Sequence, residues 1–504
     1  MAITTYAAID VGSSELCMKI YELSRQHGIR ELTYVRHRLS LGAETYTKGF
    51  ISYQTITEIC NTLNDFKRII SEFNANCCEV YATSALREAK NALVIIDQIK
   101  IQTGFKVKLL SNSEARFFYF KGMVQCEKRF DTLIEKGTLV VDIGAGSVQL
   151  SLFEGGRLQL TQNLLLGASR IQELLHAMQE EAYDFQALID EYIEKDLALF
   201  QRLNLDFTKI HHIIAAGEMI PETYFHLRDS KKDFDGYLPG KMLSRNKIQK
   251  ALGETRAQLL LPTMLLIRKI TELTGCQKVL LSPINLCDGL AADFAERRLR
   301  ITCGHDFTED ILSASRNMAR KYKVDMNHIE NVQTLALQIF DRIKKLHGLG
   351  KRERLLLQLG VILHSCGAYI NEMWSRECSY HILLSTEIIG ISHKERLIVA
   401  NMIRYNDESF PSYEELDGDF TREEYITIVK LNAILKTANV LDKSNRQKIK
   451  NVGVTLKDGI LTITADTMAD ITLEKGLFHH KADVFEEVFG IRPRLKQKRT
   501  GKRG

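Results

Sequence analysis

No apolar run in this chain approaches the roughly 18 residues of a membrane-spanning helix, so a helical membrane protein is excluded. The opening residues do not set a basic segment before an apolar one, and no secretory leader is expected. Proline is scarce, 6 among 504 residues, which leaves no room for long Pro-rich linkers. The ten cysteines never form a C-x-x-C pair, and only Cys77 and Cys78 adjoin. That pattern excludes a disulfide framework and a zinc ribbon, and points to reduced thiols in a cytoplasmic protein. Acids are missing from "RPRLKQKRTGKRG", which starts at Arg492 and holds seven Lys/Arg. The formal net charge is +5, so the chain before that segment carries −2. Such a segment is either a solvated end or an arm for a polyanion. No acidic or basic bias in the body calls for a specific nucleic-acid partner.

What is present reads as a soluble, globular, multidomain chain. Hydrophobic residues make up 45% and charged residues 26%, and 504 residues exceed what one core can organise. The first part gives three strands ("YAAIDVG", "LCMKIYEL", "TYVRHRLSL"), then helix, strand, helix, strand and helix. The first helix, "TITEICNTLNDFKRIISEF", carries Ile56, Ile59, Cys60, Leu63, Phe66, Ile70 and Phe73 on one stripe, with Thr55 and Glu58 as a capping box.

From residue 137 the order largely restarts with "GTLVVDIGAG", "VQLSLFEGG" and "RLQLTQNLLLG", and later the strands "HHIIAAGE" and "KVLLSP" and the helix "LCDGLAADFAERRL". Asp10 and Asp142 occupy equivalent points 132 residues apart, a period that suits a duplicated α/β domain rather than a solenoid. Strand signals stop after about residue 303, and residues 306–448 read as helical. A strand pair, "VGVTLKDGILTITA", follows, with Asp458-Gly459 as its turn. The boundaries expected are 1–125 and 126–302 for the two α/β domains, 303–490 for the helical domain, and 491–504 for the basic tail.

A strand ending in Asp-x-Gly can be a plain hairpin or a phosphate cradle. Two facing copies favour the cradle, because glycines let backbone N–H groups approach a phosphate and the strand-end acids can hold a hard cation. Magnesium or manganese there would neutralise charge during phosphoryl transfer.

The two loops, together with "ATSALREAKN" (82–91), "LLSNSEAR" (109–116) and "LLLGASRIQE" (164–173), resemble the exopolyphosphatase and guanosine-pentaphosphate phosphohydrolase (Ppx/GppA) family. The resemblance covers nearly the whole chain. It implies a duplicated actin-like (RNase H-like) two-domain core, followed by an all-α HD-like domain. By the same resemblance, Glu114 is the catalytic acid that handles the attacking water, and Arg87 contacts substrate phosphate. Asp10 and Asp142 are the metal-binding loop acids. Gly12, Ser13, Gly144, Gly146, Ser147 and Gly217 form the cradles. Without it, Glu114 reads as an acid at a helix N-terminus and Arg87 as a surface residue at a helix start. The expected activity is Mg-dependent release of terminal phosphate from inorganic polyphosphate or pppGpp, in a homodimer. The alternative is a catalytically degenerate regulator that binds polyphosphate or guanosine tetra- and pentaphosphate. A sugar-kinase-like or actin-like ATPase would share the fold but not the Glu114 context or the HD-like extension.

The departures are specific. Ser14 and Glu15 replace the last two residues of the usual D-x-G-S-N-S. Ala145 replaces a glycine, and Gln149 the acid, of D-I-G-G-G-S-T-E. Ala216 and Glu218 stand where the later G-x-S-G-T element has hydroxyl residues. In the HD-like part, His328 and His364 remain at histidine positions, but Ser365, Cys378, Asn406 and Asn439 replace other ligands. Two survivors do not make a hydrolytic metal site, so a structural or dimerising role is expected there.

Overall fold

Each of the two larger sheets is built around a strand that ends in Asp-x-Gly. The computed structural model describes residues 3–499 except 40, 172–183, 205–206, 231–233, 241–253, 303, 408, 417, 419 and 458. The chain divides into two units, Met1–Phe307 and Thr308–Gly504.

In the first unit, β1 (Thr4–Val11), β2 (Glu15–Ser24) and β3 (Gly28–Arg38) form an antiparallel meander. Two strands, β4 (Cys77–Ala82) and β5 (Val107–Leu109), then add in parallel, giving the order β3-β2-β1-β4-β5. The second sheet repeats this plan. Its meander is β6 (Thr138–Ile143), β7 (Val148–Glu154) and β8 (Arg157–Leu164), and β9 (His212–Gly217) lies parallel beside β6. Two short strands, β10 (Tyr237–Pro239) and β11 (Lys278–Leu281), complete the order β10-β11-β9-β6-β7-β8. The central strands explain themselves: every residue of "TLVVDI" in β6 is buried, as a strand covered on both faces requires.

Helices pack on these sheets: α1 (Leu41–Lys48), α2 (Tyr53–Glu72), α3 (Ser84–Glu88), α4 (Ala92–Thr103) and α5 (Asn112–Cys126) in the first half. The apolar stripe of α2 is buried at Ile56, Ile59, Cys60, Leu63 and Phe66, while Phe73 lies exposed as its C-cap. Its N-cap is Ser52, which accepts from the Thr55 N–H, so the helix starts one turn before the expected capping box. The second half contributes α6 (Phe130–Ile134), α7 (Phe185–Asn204), α8 (Ile220–Ser230), α9 (Glu254–Thr274) and α10 (Leu286–Phe294).

Although α10 follows β11 in sequence, it packs on the first sheet. Lys19 Nζ and Tyr21 Oη donate to Asp288 at 2.9 and 2.8 Å, and Tyr6 stacks on Phe294. It crosses α5 backbone to backbone. A Cβ on Gly122 would lie 2.9 Å from the Gly289 nitrogen, and one on Gly289 would lie 1.8 Å from the Phe118 carbonyl oxygen.

The second unit is helical: α11 (Phe307–Lys321), α12 (Met326–Arg342), α13 (Lys344–His347), α14 (Lys351–Leu363), α15 (Ser375–Ser385), α16 (His393–Arg404), α17 (Arg422–Val440) and α18 (Thr472–Phe489). Leu335, Ile339, Leu359, Ile434 and Phe485 belong to its core. The expected hairpin forms from β12 (Val452–Lys457) and β13 (Ile460–Asp466), though Asp458 of its turn lies outside the described residues.

A third strand corrects the reading of the basic segment as a tail. Residues Pro493–Lys498 form β14, parallel to β13, with Leu495 opposite Ile463. Arg494, Lys496 and Lys498 point outward and Leu495 and Gln497 inward, the two-residue alternation of a strand with one solvated face. Residues 500–504 lie outside the described residues. Among the described residues no helix is long and apolar enough to cross a membrane.

Candidate functional site

The two loops share one backbone device. Gly12 N–H donates to the Glu15 carbonyl at 3.0 Å, and Gly144 N–H donates to the Ser147 carbonyl at 3.0 Å. Each turn brings its aspartate to the end of a central strand, where Asp10 pairs with Cys17 and Tyr81, and Asp142 with Gln149 and Ala216. A small cavity of about 40 Å³ lies between the loops, and Asp10, Arg87, Asp142, Gly144, Gly146 and Ser147 all line it. A larger cavity of about 520 Å³ adjoins Ser13, Ser14, Glu15, Arg36, Arg38 and Glu222. Gly144 and Glu218 border both.

Gly12 and Gly217 shape the backbone rather than the lining. Gly217 has φ +119°, and a Cβ there would lie 2.1 Å from the Ile143 carbonyl oxygen, so β9 can end against β6 only with glycine. From the sequence stretch 164–173, residues 172 and 173 lie outside the described residues, but Gly167 presses on the second loop. Ala168 N–H and Arg170 N–H donate to the carbonyls of Gly144 and Ala145, both at 3.1 Å. On the first loop, Ser13 Oγ lies 3.0 Å from Ser84 Oγ and 3.3 Å from Tyr46 Oη, and Tyr46 also covers Gly146.

The two aspartates sit in opposite electrostatic settings. Asp142 is 2% exposed, and its Oδ2 is ion-paired with Arg116 Nη1. Burial raises its carboxyl above the ordinary range, and Arg116 opposes that shift. Among the described residues no cation is paired with Asp10; burial pushes its carboxyl well up, and the nearby Glu218 and Glu15 push it further. Asp10 Oδ1 and Asp142 Oδ1 are both buried without a hydrogen-bond partner, as is Gln149 Oε1 on the rung opposite Asp142.

Arg87 Nη1 donates to the Leu110 carbonyl at 2.6 Å and Nη2 to Asn112 Oδ1 at 2.7 Å, which fixes the guanidinium at the cavity wall. Glu114 lines neither cavity. Its Oε2 accepts from Ser111 N–H at 3.0 Å and Ser111 Oγ at 2.6 Å, closing a capping box on α5. Asn112, Ala115 and Arg116 of the same turn do line the small cavity, so Glu114 stands within one helical turn of it.

A model of the Ppx/GppA phosphatase family matches residues 20–290, and one of Ppx/GppA phosphatase domain III matches residues 312–482. The chain belongs to the Ppx/GppA phosphatase family. It is similar to the guanosine-5'-triphosphate,3'-diphosphate pyrophosphatase of Vibrio vulnificus, 19% identical over 441 residues, covering 85% of this chain and 86% of that one. It is also similar to the bifunctional 3-dehydroquinate synthase/phosphatase of Fusobacterium nucleatum, 22% identical over 255 residues; that match takes in 48% of this chain and 37% of the relative. A crystal structure of an exopolyphosphatase from Cytophaga hutchinsonii shares the fold, with 20% identity, a TM-score of 0.50, and coverage of 58% of this chain and 98% of that one. The two sheets are the duplicated, actin-like core of a Ppx/GppA phosphatase.

Within this Ppx/GppA chain, two of the sequence departures touch. Ser14 Oγ donates to Glu218 Oε2 at 2.7 Å, linking the first loop to the end of β9. Arg38 Nη2 reaches both carboxylate oxygens of Glu222 on α8 at 3.0 Å, a second link between the halves. Sequence reasoning missed Arg116, Tyr46 and Glu222. Arg116 alone left a signal, as a lone cation in "ARFFYF", where a buried helix face demands an anionic partner.

In the domain III unit, His328 and His364 are neighbours, with ring centroids 5.7 Å apart. His328 Nδ1 lies 2.9 Å from Asp442 Oδ2, an acid that the sequence reading did not single out. His364 Nδ1 lies 2.8 Å from the Val361 carbonyl, and burial lowers the histidine pKa to about 4. That is a neutral core histidine. Ser365 Oγ and Asn406 Oδ1 are buried, and among the described residues no group of three or more His, Cys, Asp or Glu is placed to hold a metal.

Proposed function

We propose that this chain hydrolyses phosphoanhydride bonds with a divalent cation, releasing terminal phosphate from inorganic polyphosphate or guanosine pentaphosphate. One observation carries the reading: two Asp-x-Gly turns of the same geometry close on one cavity, with Arg87 fixed at its wall. A guanidinium fork at the wall of a glycine-lined cavity suits phosphate oxygens. The relatives named for a guanosine polyphosphate and for exopolyphosphatase activity support the substrate class.

The residues fit a cation. Asp10 and Asp142 line the small cavity, and Asp10 Oδ1 and Asp142 Oδ1 are buried acceptors without partners, the chemistry a hard cation satisfies. With fewer than three acids to hand, magnesium or manganese would keep waters and phosphate oxygens as its other ligands. The cation would supply neutralisation of the phosphate charge. Arg87 orients the terminal phosphate, the loops hold the next one, and Tyr46, Ser13 and Ser84 keep the first loop in shape. Glu114, once a substrate phosphate draws on the α5 N-terminus, is the acid one turn away that takes the proton of the attacking water.

A second reading, ligand binding without turnover, is favoured by the engagement of Glu114 in its capping box. Phosphate release from long-chain polyphosphate and from pppGpp, with magnesium, decides between them. Turnover should appear in the wild type and fall about 10²- to 10⁴-fold in Glu114→Gln with binding retained. Binding without release in the wild type would establish the second reading.

A further inference from the structure

Helix α4, "ALVIIDQIKIQT", is apolar on both of its faces. On the inner face Ile95 and Ile99 are buried, in the same core as Ile56, Ile59 and Val80. On the outer face Leu93, Val94 and Ile101 stand 81%, 59% and 68% exposed. A helix that is hydrophobic all round is normally covered all round. The apolar surface continues beyond the helix. Asn91, its N-cap, accepts from the Ile51 N–H at 3.1 Å and donates to the Ile51 carbonyl at 2.8 Å. Those two bonds hold residues 50–53 beside the start of α4, where Phe50 is 49% and Tyr53 72% exposed. Five such side chains present on the order of 600 Å² of apolar surface, the upper end of what a single patch on a monomer shows.

The charges on the outer face say what fits there. Asp97 and Lys100 are the two charged residues of α4, both are exposed, and the helical period puts them on the same face as Leu93 and Ile101. Neither is ion-paired among the described residues. Along the helix the face therefore reads apolar, acid, base, apolar. A second α4 laid antiparallel, about a two-fold axis beside Asp97 and Gln98, sets Leu93 of each copy by Ile101 of the other. The same rotation sets Asp97 of each copy by Lys100 of the other. The face is self-complementary, which is what a two-fold contact requires. We infer that α4, with Phe50 and Tyr53, is the surface on which a second copy of this chain docks. A stable interface takes about 800 Å² from each partner, with an apolar centre and a polar rim. The patch supplies that centre.

Sedimentation velocity of the full chain, over a range of micromolar concentrations, reads the dimer directly. Leu93→Asp should weaken it about 30-fold or more. Asp97→Lys and Lys100→Asp each set like charges against one another across the axis, and each should weaken it about tenfold. Combined in one chain, the two changes restore opposite charges at both contacts and should recover the wild-type dimer. All three positions are exposed, so circular dichroism and thermal melts of the variants should match the wild type. A wild-type chain that stays monomeric overturns the inference, and if it sediments with phosphatidylglycerol vesicles the patch faces a membrane instead. A dimer indifferent to Leu93→Asp overturns it too, because the contact then lies elsewhere. So does a double charge variant that associates no better than the single ones.

Discussion

The two Asp-x-Gly loops have the same turn, the same strand neighbours and the same 3.0 Å closing hydrogen bond, yet their aspartates lead different electrostatic lives. Asp142 meets a guanidinium; Asp10 meets carboxylates. The shared part is what the backbone needs to bring a loop to the cavity. The differing part is division of labour: one half carries a neutral, rigid ion pair and the other an unbalanced acid. Symmetry of fold thus does not imply symmetry of charge.

Breaking the ion pair should have the largest effect. Arg116→Met leaves Asp142 as an uncompensated buried charge and should cost about 3–5 kcal/mol of stability, measured by urea unfolding. Asp142→Asn in the same chain should restore much of it, since two neutral groups replace the pair. A stable Arg116→Met single variant would show that Asp142 is not held by Arg116.

The second expectation tests the backbone half of the comparison. Gly217→Ala puts a Cβ into the Ile143 carbonyl at a positive φ and should destabilise by about 1–3 kcal/mol. In the first sheet the residue at the matching register, Ala82 opposite Val11, already carries a Cβ, so Ala82→Gly should be milder there. Equal losses from the two changes would deny the asymmetry.

The smallest effect concerns Asp10. Asp10→Asn removes a charge that burial and two acids disfavour, so the folded state should gain about 0.5–2 kcal/mol while manganese binding and turnover fall. A melting temperature that drops instead would mean that Asp10 is already compensated.

Much of this was legible. The three-strand openings, the 132-residue offset and both loops follow from two-residue alternation broken by Asp-x-Gly, which is local information. The partner of Arg116 was not legible, because Asp142 lies 26 residues away on another element. Nor was the sheet that α10 covers: an apolar helix stripe specifies burial, not against what. The basic run hid β14 because seven cations drew attention from the inward Leu495. Removing residues beyond Gly490 would therefore unpair an edge of β13 and expose Leu461 and Ile463, rather than trim a solvated end.

The crossing of α5 and α10 has a mechanical meaning. Side-chain knobs set into holes would weld two helices at one angle, whereas Gly122 and Gly289 meet as bare backbone with nothing interlocked. Since α5 carries Arg116 to the second loop and α10 spans the first sheet, the glycine contact is an axle shared by both sheets. A Cβ added at either glycine meets the facing backbone, so it acts as a wedge between the two helices, one turn from the cavity-lining Tyr119.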